Sequence, residues 1–318
     1  ASCERRKLYA SGDKPRSVKE RPSTIHKNHC PIWVAQTHFT MKGRTHSEDV
    51  LRRVGDGPEN EFDIASAALH LAALSRTRPD LAPFETHLAQ LGQELSETFA
   101  KSVDESLTAA AQALTNVLVV LNDYRGDDQT YDDLQNADLM NVIERRRGLP
   151  VALGILYIHS ARSQGWQAHG LNFPGHFLVA LEKNSERAII DPFHEGVSRT
   201  PNELRELLKL VAGQDAELST EMFTPASDRA VLLRLQSNIR LRLVQMRRFE
   251  KAVKVVESML LFAPDQSEIW RDLGMLNAQL GNLSAAIKAF QSSIKHENVG
   301  SRRQETTALL QALQRRMN

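Results

Sequence analysis

The cysteine and histidine residues limit the chemistry open to this chain. Both cysteines, Cys3 and Cys30, lie within the first 30 of 318 residues, and the rest of the sequence has none. A thiol nucleophile within any later domain is therefore excluded, as is a fold built on disulfides. His26, His29 and Cys30 are close in sequence, but a tetrahedral metal site needs four ligands and Cys3 is distant. We predict no metal and no cofactor.

Charge is segregated along the chain. Residues 1–45 hold ten of the 40 Lys and Arg residues but only three of the 39 Asp and Glu residues, so the remainder is acidic. This segment has neither helical nor strand periodicity, and we expect a disordered basic extension. Only this extension has the charge to attract nucleic acid, and its few aromatic residues argue against such a partner. Because no window has the length of apolar sequence that spans a membrane, and no apolar secretory signal is present, we predict a cytoplasmic protein.

The elements that must position any site begin with helices. Apolar residues recur at helical spacing over Ile64–Leu74 and Leu88–Leu95, and again over Asp104–Asn122, where Asp104 is the predicted cap. A short helix then ends in the basic run Arg145–Arg147, which is typical of a solvated helix end. From Pro150 to Gly165 the sequence is apolar on nearly every face, which predicts a buried helix with proline in its first turn.

Short strands follow the buried helix. They are predicted at 166–173, 176–181 and 188–190, with turns at Pro174-Gly175 and Asn184-Ser185. Residues 201–212 form another amphipathic helix, and 213–227 read as a linker. The sequence therefore predicts an α+β fold in which helices precede a central buried helix and a small antiparallel sheet, and an all-helical region follows.

The helical region contains a repeat. Its pattern W-x2-L-G-x6-G-x4-A-x3-F resembles the 34-residue tetratricopeptide repeat, with these residues: Trp270, Leu273, Gly274, Gly281, Ala286 and Phe290. Ala252 and Val256 lie one repeat earlier, and Pro264 closes that degenerate unit. The alternative is a generic helical hairpin. Residues 301–316 are predicted to form a polar capping helix.

Tetratricopeptide repeats present a surface that can hold a helix or a peptide. We therefore predict a protein or peptide partner, with Trp270, Asn277, Arg240 and Leu243 as the binding residues. Two repeats make a small groove, so the central domain is expected to contribute to the partner surface.

A second resemblance covers the buried helix and the strands. The string RRRGLPVALGILYIHSARSQGWQAHGLNFPGHFLVALEKNSERAIIDPF resembles the transglutaminase-like superfamily, and most closely its bacterial SirB-type branch, in which such a domain precedes tetratricopeptide repeats. The resemblance covers roughly residues 62–300. It implies a papain-like core and these domains: a basic extension 1–45, a transglutaminase-like domain 46–212, a linker 213–227 and repeats with a capping helix 228–318.

The resemblance also assigns a site. Active members use a Cys at the start of the central helix, a His on the following strands and an Asp that orients the His. His176 and Asp191 occupy the last two positions, and a hairpin of this length would bring them together. The Cys position falls at Pro150, Val151 or Ala152, none of which is a nucleophile, so a covalent acyl-enzyme route is closed.

Two functions remain open. In the favoured one the chain is a pseudoenzyme that acts as a protein-interaction scaffold or regulator, and His176 and Asp191 form a structural pair. In the alternative it is a hydrolase or amidase in which His176 activates water toward an amide or ester. Ligand or metal binding by this pair is a third possibility, to which His194 and Glu195 could contribute a polar pocket.

Overall fold

The computed structural model describes residues 32–58 and 62–315, with side chains from residue 44 onward. The cysteines and the histidines near Cys30 lie outside these ranges. Helix α1 (Ile32–Asp56) begins inside the segment for which we expected disorder up to residue 45. Its second half carries Leu51 and Val54, which are buried in the main core. The helix is therefore held by contacts that the local sequence of the extension does not reveal.

Further helices precede the sheet. They are α2 (Ile64–Ala73), α3 (Ala82–Phe99), α4 (Leu107–Thr115), which continues as a π-helix (Asn116–Leu121), and α5 (Leu139–Arg145). The predicted cap at Asp104 was wrong, because Ser106 caps α4 by accepting from the Ala109 amide at 3.1 Å. Asp104 instead accepts from the backbone amide of the cap residue Ser106 at 2.9 Å, so it lies before the N-cap position.

The central helix α6 (Pro150–Ser163) is buried over most of its length, as its sequence predicts. Two short parallel strands, β1 (Arg125–Gly126) and β2 (Arg147–Gly148), pair with each other, and β2 leads into the first turn of α6. Gly154 lets the sheet approach closely, since a Cβ atom there would lie 2.3 Å from Cε1 of Phe177.

The main sheet has five antiparallel strands. In spatial order they are β6 (Val197–Ser198), β5 (Glu186–Asp191), β4 (Val179–Lys183), β3 (Gln167–Leu171) and β7 (Pro225–Ala226). Asn184 and Ser185 both have positive φ, at 53° and 65°, as a tight hairpin turn requires. The predicted linker 213–227 is not merely a connection, because it supplies β7.

Helices cover both faces of the sheet. One face packs on α6 and α4 within the main core. The other face packs on α7 (Pro201–Ala212), where Leu204 and Leu208 meet Leu171, Phe173 and Leu178. Thr200 and Glu203 form a capping box at the start of α7. The end of β5 is thereby fixed between two layers of helices.

The C-terminal region consists of helical pairs. They are α8 (Asp228–Gln245) with α9 (Phe249–Phe262) and α10 (Ser267–Gln279) with α11 (Leu283–His296), followed by α12 (Gly300–Arg315). A Cβ atom on Gly274 would lie 2.5 Å from Phe290, which explains the small residue at this position of the repeat. Within the described ranges, no helix has the length and apolar character needed to cross a bilayer.

Candidate functional site

Asp191 is the centre of the candidate site. It is the last residue of β5, its side chain is fully buried, and its Oδ1 lies 2.9 Å from Nε2 of His176. Its Oδ2 lies 2.8 Å from Nδ1 of His194 and 2.8 Å from Nη2 of Arg199. Burial alone would raise the pKa of Asp191, but hydrogen bonds and positive charge from His176 and Arg199 outweigh it and hold the pKa well below its usual range. The carboxylate is therefore ionised and well supplied with donors.

His176 lies in the loop before β4, not at the start of a strand as predicted. Its backbone amide donates to the carbonyl of Pro174 at 2.8 Å, and its carbonyl accepts from Arg234 at 2.7 Å, so neither group pairs with a neighbouring strand. Gly175 has a φ of 64° and lies against Val211 of α7. Contacts with Val211 and with Arg234 therefore fix this loop, and the imidazole of His176 is 11% exposed.

Aromatic contacts join the site to the start of the central helix. The ring of Phe193 meets the ring of His176 edge to face at 6.4 Å. The same ring covers Gly126, where a Cβ atom would lie 2.6 Å from it, and Gly126 pairs with Gly148 two residues before Pro150. The sequence analysis did not identify Phe193 as part of the site. Its place in the IDPF motif is the signal that could have indicated it.

The first turn of α6 carries no nucleophile. Pro150, Val151 and Ala152 are all buried, and they present only hydrocarbon side chains. No side chain caps this helix end, where Leu149 is the N-cap residue. Phe193 and the β1–β2 pair therefore connect the His–Asp pair to the first turn of α6, where no side chain can attack a carbonyl carbon.

Arg199 completes the site and was missed by sequence reasoning. It follows β6 and donates to Asp191 through Nε at 3.1 Å as well as through Nη2. Its backbone amide donates to the Ile189 carbonyl at 2.7 Å, which fixes it beside β5. Arg199 follows Val197, the residue of β6 that pairs with Asp191, by two positions. Because β6 has only two residues, the sequence does not reveal this pairing.

The donor set does not fit a metal ion. His176, Asp191 and His194 have ligand atoms within 4.8 Å of one another, and nitrogen with carboxylate oxygen is a common metal-binding set. However, Arg199 donates to the same oxygen of Asp191 as His194 does, so a bound cation would lie against a guanidinium. The cluster is instead a hydrogen-bonded network centred on the carboxylate of Asp191.

Residues that sequence analysis placed near the site have other roles in the structure. Glu195 does not bond to Asp191 and instead pairs with Arg125. In the basic run that we predicted to be a solvated helix end, Arg145 pairs with Asp127 at 2.9 Å and Arg147 pairs with Asp123 at 3.2 Å. These pairs hold β1 and β2 together ahead of α6, in place of the solvated helix end that we predicted.

The predicted binding residues of the repeats lie mostly in the interior. Trp270 packs against the core and donates from Nε1 to the Pro264 carbonyl at 2.7 Å. Leu243 and Asn277 are buried, and Asn277 donates to the Leu273 carbonyl at 3.0 Å. Arg240 is partly exposed and pairs with Asp272 at 2.8 Å.

Comparison with known proteins agrees with this architecture. The transglutaminase-like superfamily matches residues 82–237, and a tetratricopeptide repeat family matches residues 239–313. A UPF0162 protein of Xylella fastidiosa is 34% identical over 51% of this chain and 59% of its own length. A UPF0162 protein of Vibrio cholerae is 28% identical over 72% of this chain and 83% of its own length. Protein SirB1 of Salmonella typhimurium is 29% identical over 45% of this chain and 53% of its own length.

Menin is a much more distant structural match, with a TM-score of 0.35 and 8% identity over 80% of this chain and 70% of its own. The fold and the two family matches define a transglutaminase-like domain joined to C-terminal tetratricopeptide repeats. The similarity to UPF0162 proteins and to SirB1 is consistent with a SirB-type family protein, as the motifs predict. It spans less than two thirds of the length of the Xylella relative that it matches.

Proposed function

We propose that this chain is a non-catalytic transglutaminase-like protein that acts as a protein-interaction scaffold or regulator through its repeats and its central domain. The observation that carries the proposal is the first turn of α6. In the superfamily's thiol enzymes this position supplies the nucleophile, whereas here buried Pro150, Val151 and Ala152 supply none. We also propose a cytoplasmic location, as the sequence analysis predicts.

The hydrogen bonds of Asp191 support a structural role for the pair. Its two oxygens accept from His176, His194 and Arg199, and the backbone amide of Phe193 adds a longer contact at 3.2 Å. A carboxylate bound in this way joins the loop before β4 to the segment after β6. That role requires no substrate and explains why a His–Asp pair persists without a nucleophile.

The test is hydrolysis measured with the full chain. We expect p-nitrophenyl acetate and a glutamine-containing peptide to be turned over at the background rate by both the unmodified protein and His176→Ala. Circular dichroism checks that the variant remains folded. Turnover that depends on His176 and not on contaminants would overturn the non-catalytic assignment.

The repeats offer a surface for the partner. Leu241 and Met275 occupy equivalent positions 34 residues apart, and they are 52% and 49% exposed. The ion pair between Arg240 and Asp272 links their helices, α8 and α10. We expect the double variant Leu241→Asp, Met275→Asp to lose a partner that the unmodified chain retains in affinity purification. Val103→Asp, at a fully exposed position elsewhere, is the matched control.

One observation favours the hydrolase as a second candidate. Nδ1 of His176 makes no hydrogen bond to the described part of the chain, while Nε2 is held by Asp191. An imidazole oriented in this way could take a proton from water that attacks an amide or ester carbonyl, and Asp191 would stabilise the imidazolium. A rate that rises with the deprotonation of an imidazole, and is lost in His176→Ala, would select this candidate.

A further inference from the structure

The outer edge of the main sheet is only partly covered. Strand β5 spans Glu186–Asp191, whereas β6 has two residues and pairs with the last two residues of β5. One more backbone hydrogen bond, to the carbonyl of Ile189, extends this contact. In the described part of the chain, no strand pairs with the outer side of Glu186–Ala188. Open strand edges are templates for pairing with another segment.

The main chain of Arg187 faces this open side. The carbonyls of Ile189 and Asp191 accept bonds from the β6 side at 2.7 and 2.9 Å. Because main-chain groups in a strand alternate sides with a period of two residues, the amide and carbonyl of Arg187 point the same way. Its side chain is directed across the sheet, where Nε donates to Glu182 at 2.7 Å. The side chain therefore does not fold over the edge.

A cleft of about 920 Å³ lies between this edge and the helices opposite. Leu107 and Ala111 of α4 line one wall with Val120 of the π-helix, and Val197 of β6 lines the other. Val120 is 69% exposed and Val197 is 41% exposed, so apolar side chains face water on both walls. Helix α4 ends in this π-helix, and π-helices are rare and are frequently found at functional sites.

The polar groups of the cleft indicate what would fill it. Gln112 and Asn116 line the helical wall and make no side-chain hydrogen bond to any described residue, so their amides can bind a main chain. Glu186 and Arg187 are the ionisable residues in the lining, and Arg187 is already paired with Glu182. An uncharged extended segment therefore fits this cleft better than a charged one does.

We propose that this cleft binds an extended peptide segment of a partner protein as an added strand. The peptide pairs with the main chain of Arg187 and inserts a small aliphatic side chain between Val120 and Val197. This mode of binding takes its affinity from main-chain hydrogen bonds and its selectivity from alternate side chains. The inference rests on the proposed binding function and names a surface and a partner chemistry for it.

The test selects octapeptides from a random phage-displayed library on the full chain and measures the binding of their fluorescein-labelled synthetic forms by anisotropy. We expect alternating aliphatic residues in the selected peptides. Val120→Asp should weaken binding at least about tenfold, because it places a charge in an apolar cleft. N-methylation of alternate peptide residues should do the same by removing main-chain donors, and Val103→Asp should have no effect. Hydrogen exchange should show protection of the Arg187 amide on binding.

Failure to select peptides would overturn the proposal, as would binding that survives both Val120→Asp and N-methylation. The outcome is separable from that of the proposed function. If the selected peptides bind Val120→Asp as tightly as the unmodified chain and the Leu241→Asp, Met275→Asp protein loses its partner, the scaffold function stands and the cleft is rejected. If turnover depends on His176 while the peptides bind as described, the cleft stands and the non-catalytic assignment fails.

Discussion

Replacing Asp191 by Asn tests whether this carboxylate holds the site together. The substitution keeps the shape of the side chain but removes a buried charge that His176, His194 and Arg199 all share. Removing one partner of a buried ion pair usually costs about 3–5 kcal/mol, since the remaining charge is left uncompensated. At roughly 2–4 °C per kcal/mol for a domain of this size, the melting temperature should fall by roughly 6–20 °C.

The effect of this substitution should depend on pH in a defined direction. The pKa of Asp191 in the folded chain is lowered from 3.8, so its contribution to stability is present above the unfolded pKa. It is lost as the pH falls through the folded value. Calorimetry should therefore give a full difference between the unmodified protein and Asp191→Asn at about pH 5, and a smaller difference below about pH 4.

Two further variants make the result decisive. Asp265→Asn removes an exposed carboxylate 3.3 Å from His296, and it should change stability by less than about 1 kcal/mol. Adding Arg199→Gln to Asp191→Asn should cost less than the sum of the two single changes, because the double variant leaves no unpaired guanidinium. A loss below about 1 kcal/mol for Asp191→Asn, or strict additivity, would refute the structural role.

Four other substitutions, one of them a control, probe separate parts of the fold. Gly154→Ala places a Cβ atom 2.3 Å from a phenylalanine ring, and the resulting strain of about 1–3 kcal/mol should outweigh a helix-propensity gain of up to about 1 kcal/mol. Gly300→Ala, with no neighbour within 4 Å, should not lower the melting temperature. Burial lowers the pKa of His159, but the carboxylate of Asp63 outweighs burial and raises it. Urea titrations should therefore show a stabilisation of under about 1 kcal/mol that is full below about pH 6.5 and is lost as the pH rises through the folded pKa of His159. This stabilisation should be absent in Asp63→Asn. Trp270→Phe loses a 2.7 Å bond to a backbone carbonyl and should cost about 1 kcal/mol of stability, whereas a residue that only contacts a partner would change affinity alone.

The strongly patterned elements could be predicted from the sequence. Helix α6 was recognisable because an apolar sequence on every face has to be buried, and the structure buries it. The β4–β5 hairpin was recognisable because Asn184-Ser185 suits a turn with positive φ, and both residues have it. The repeat was recognisable because small and large residues recur at a fixed spacing, and Gly274 meets Phe290 as that spacing requires.

The remaining features depend on contacts that leave little local signal. Strands β1, β2, β6 and β7 have two residues each, too few to show a period of two. Arg199 was missed for this reason, since its place beside Asp191 depends on the pairing of β6. The predicted strand from His176 starts instead at Val179, because Pro174 and Gly175 form a loop that takes up the His176 amide.

A His–Asp pair is therefore weak evidence for catalysis in this fold. Asp191 joins the loop that holds His176, the turn that holds His194 and the segment that holds Arg199, so its loss would leave buried donors unpaired whether or not a reaction occurs. Catalysis needs one more thing, a nucleophile or a positioned water that the pair can activate. Since the side chains at the start of α6 cannot supply the first, the hydrolase candidate depends entirely on water reaching Nδ1 of His176. The two roles then predict different results for His176→Ala, because a structural pair loses stability with no change in turnover, while a catalytic pair loses turnover at every pH.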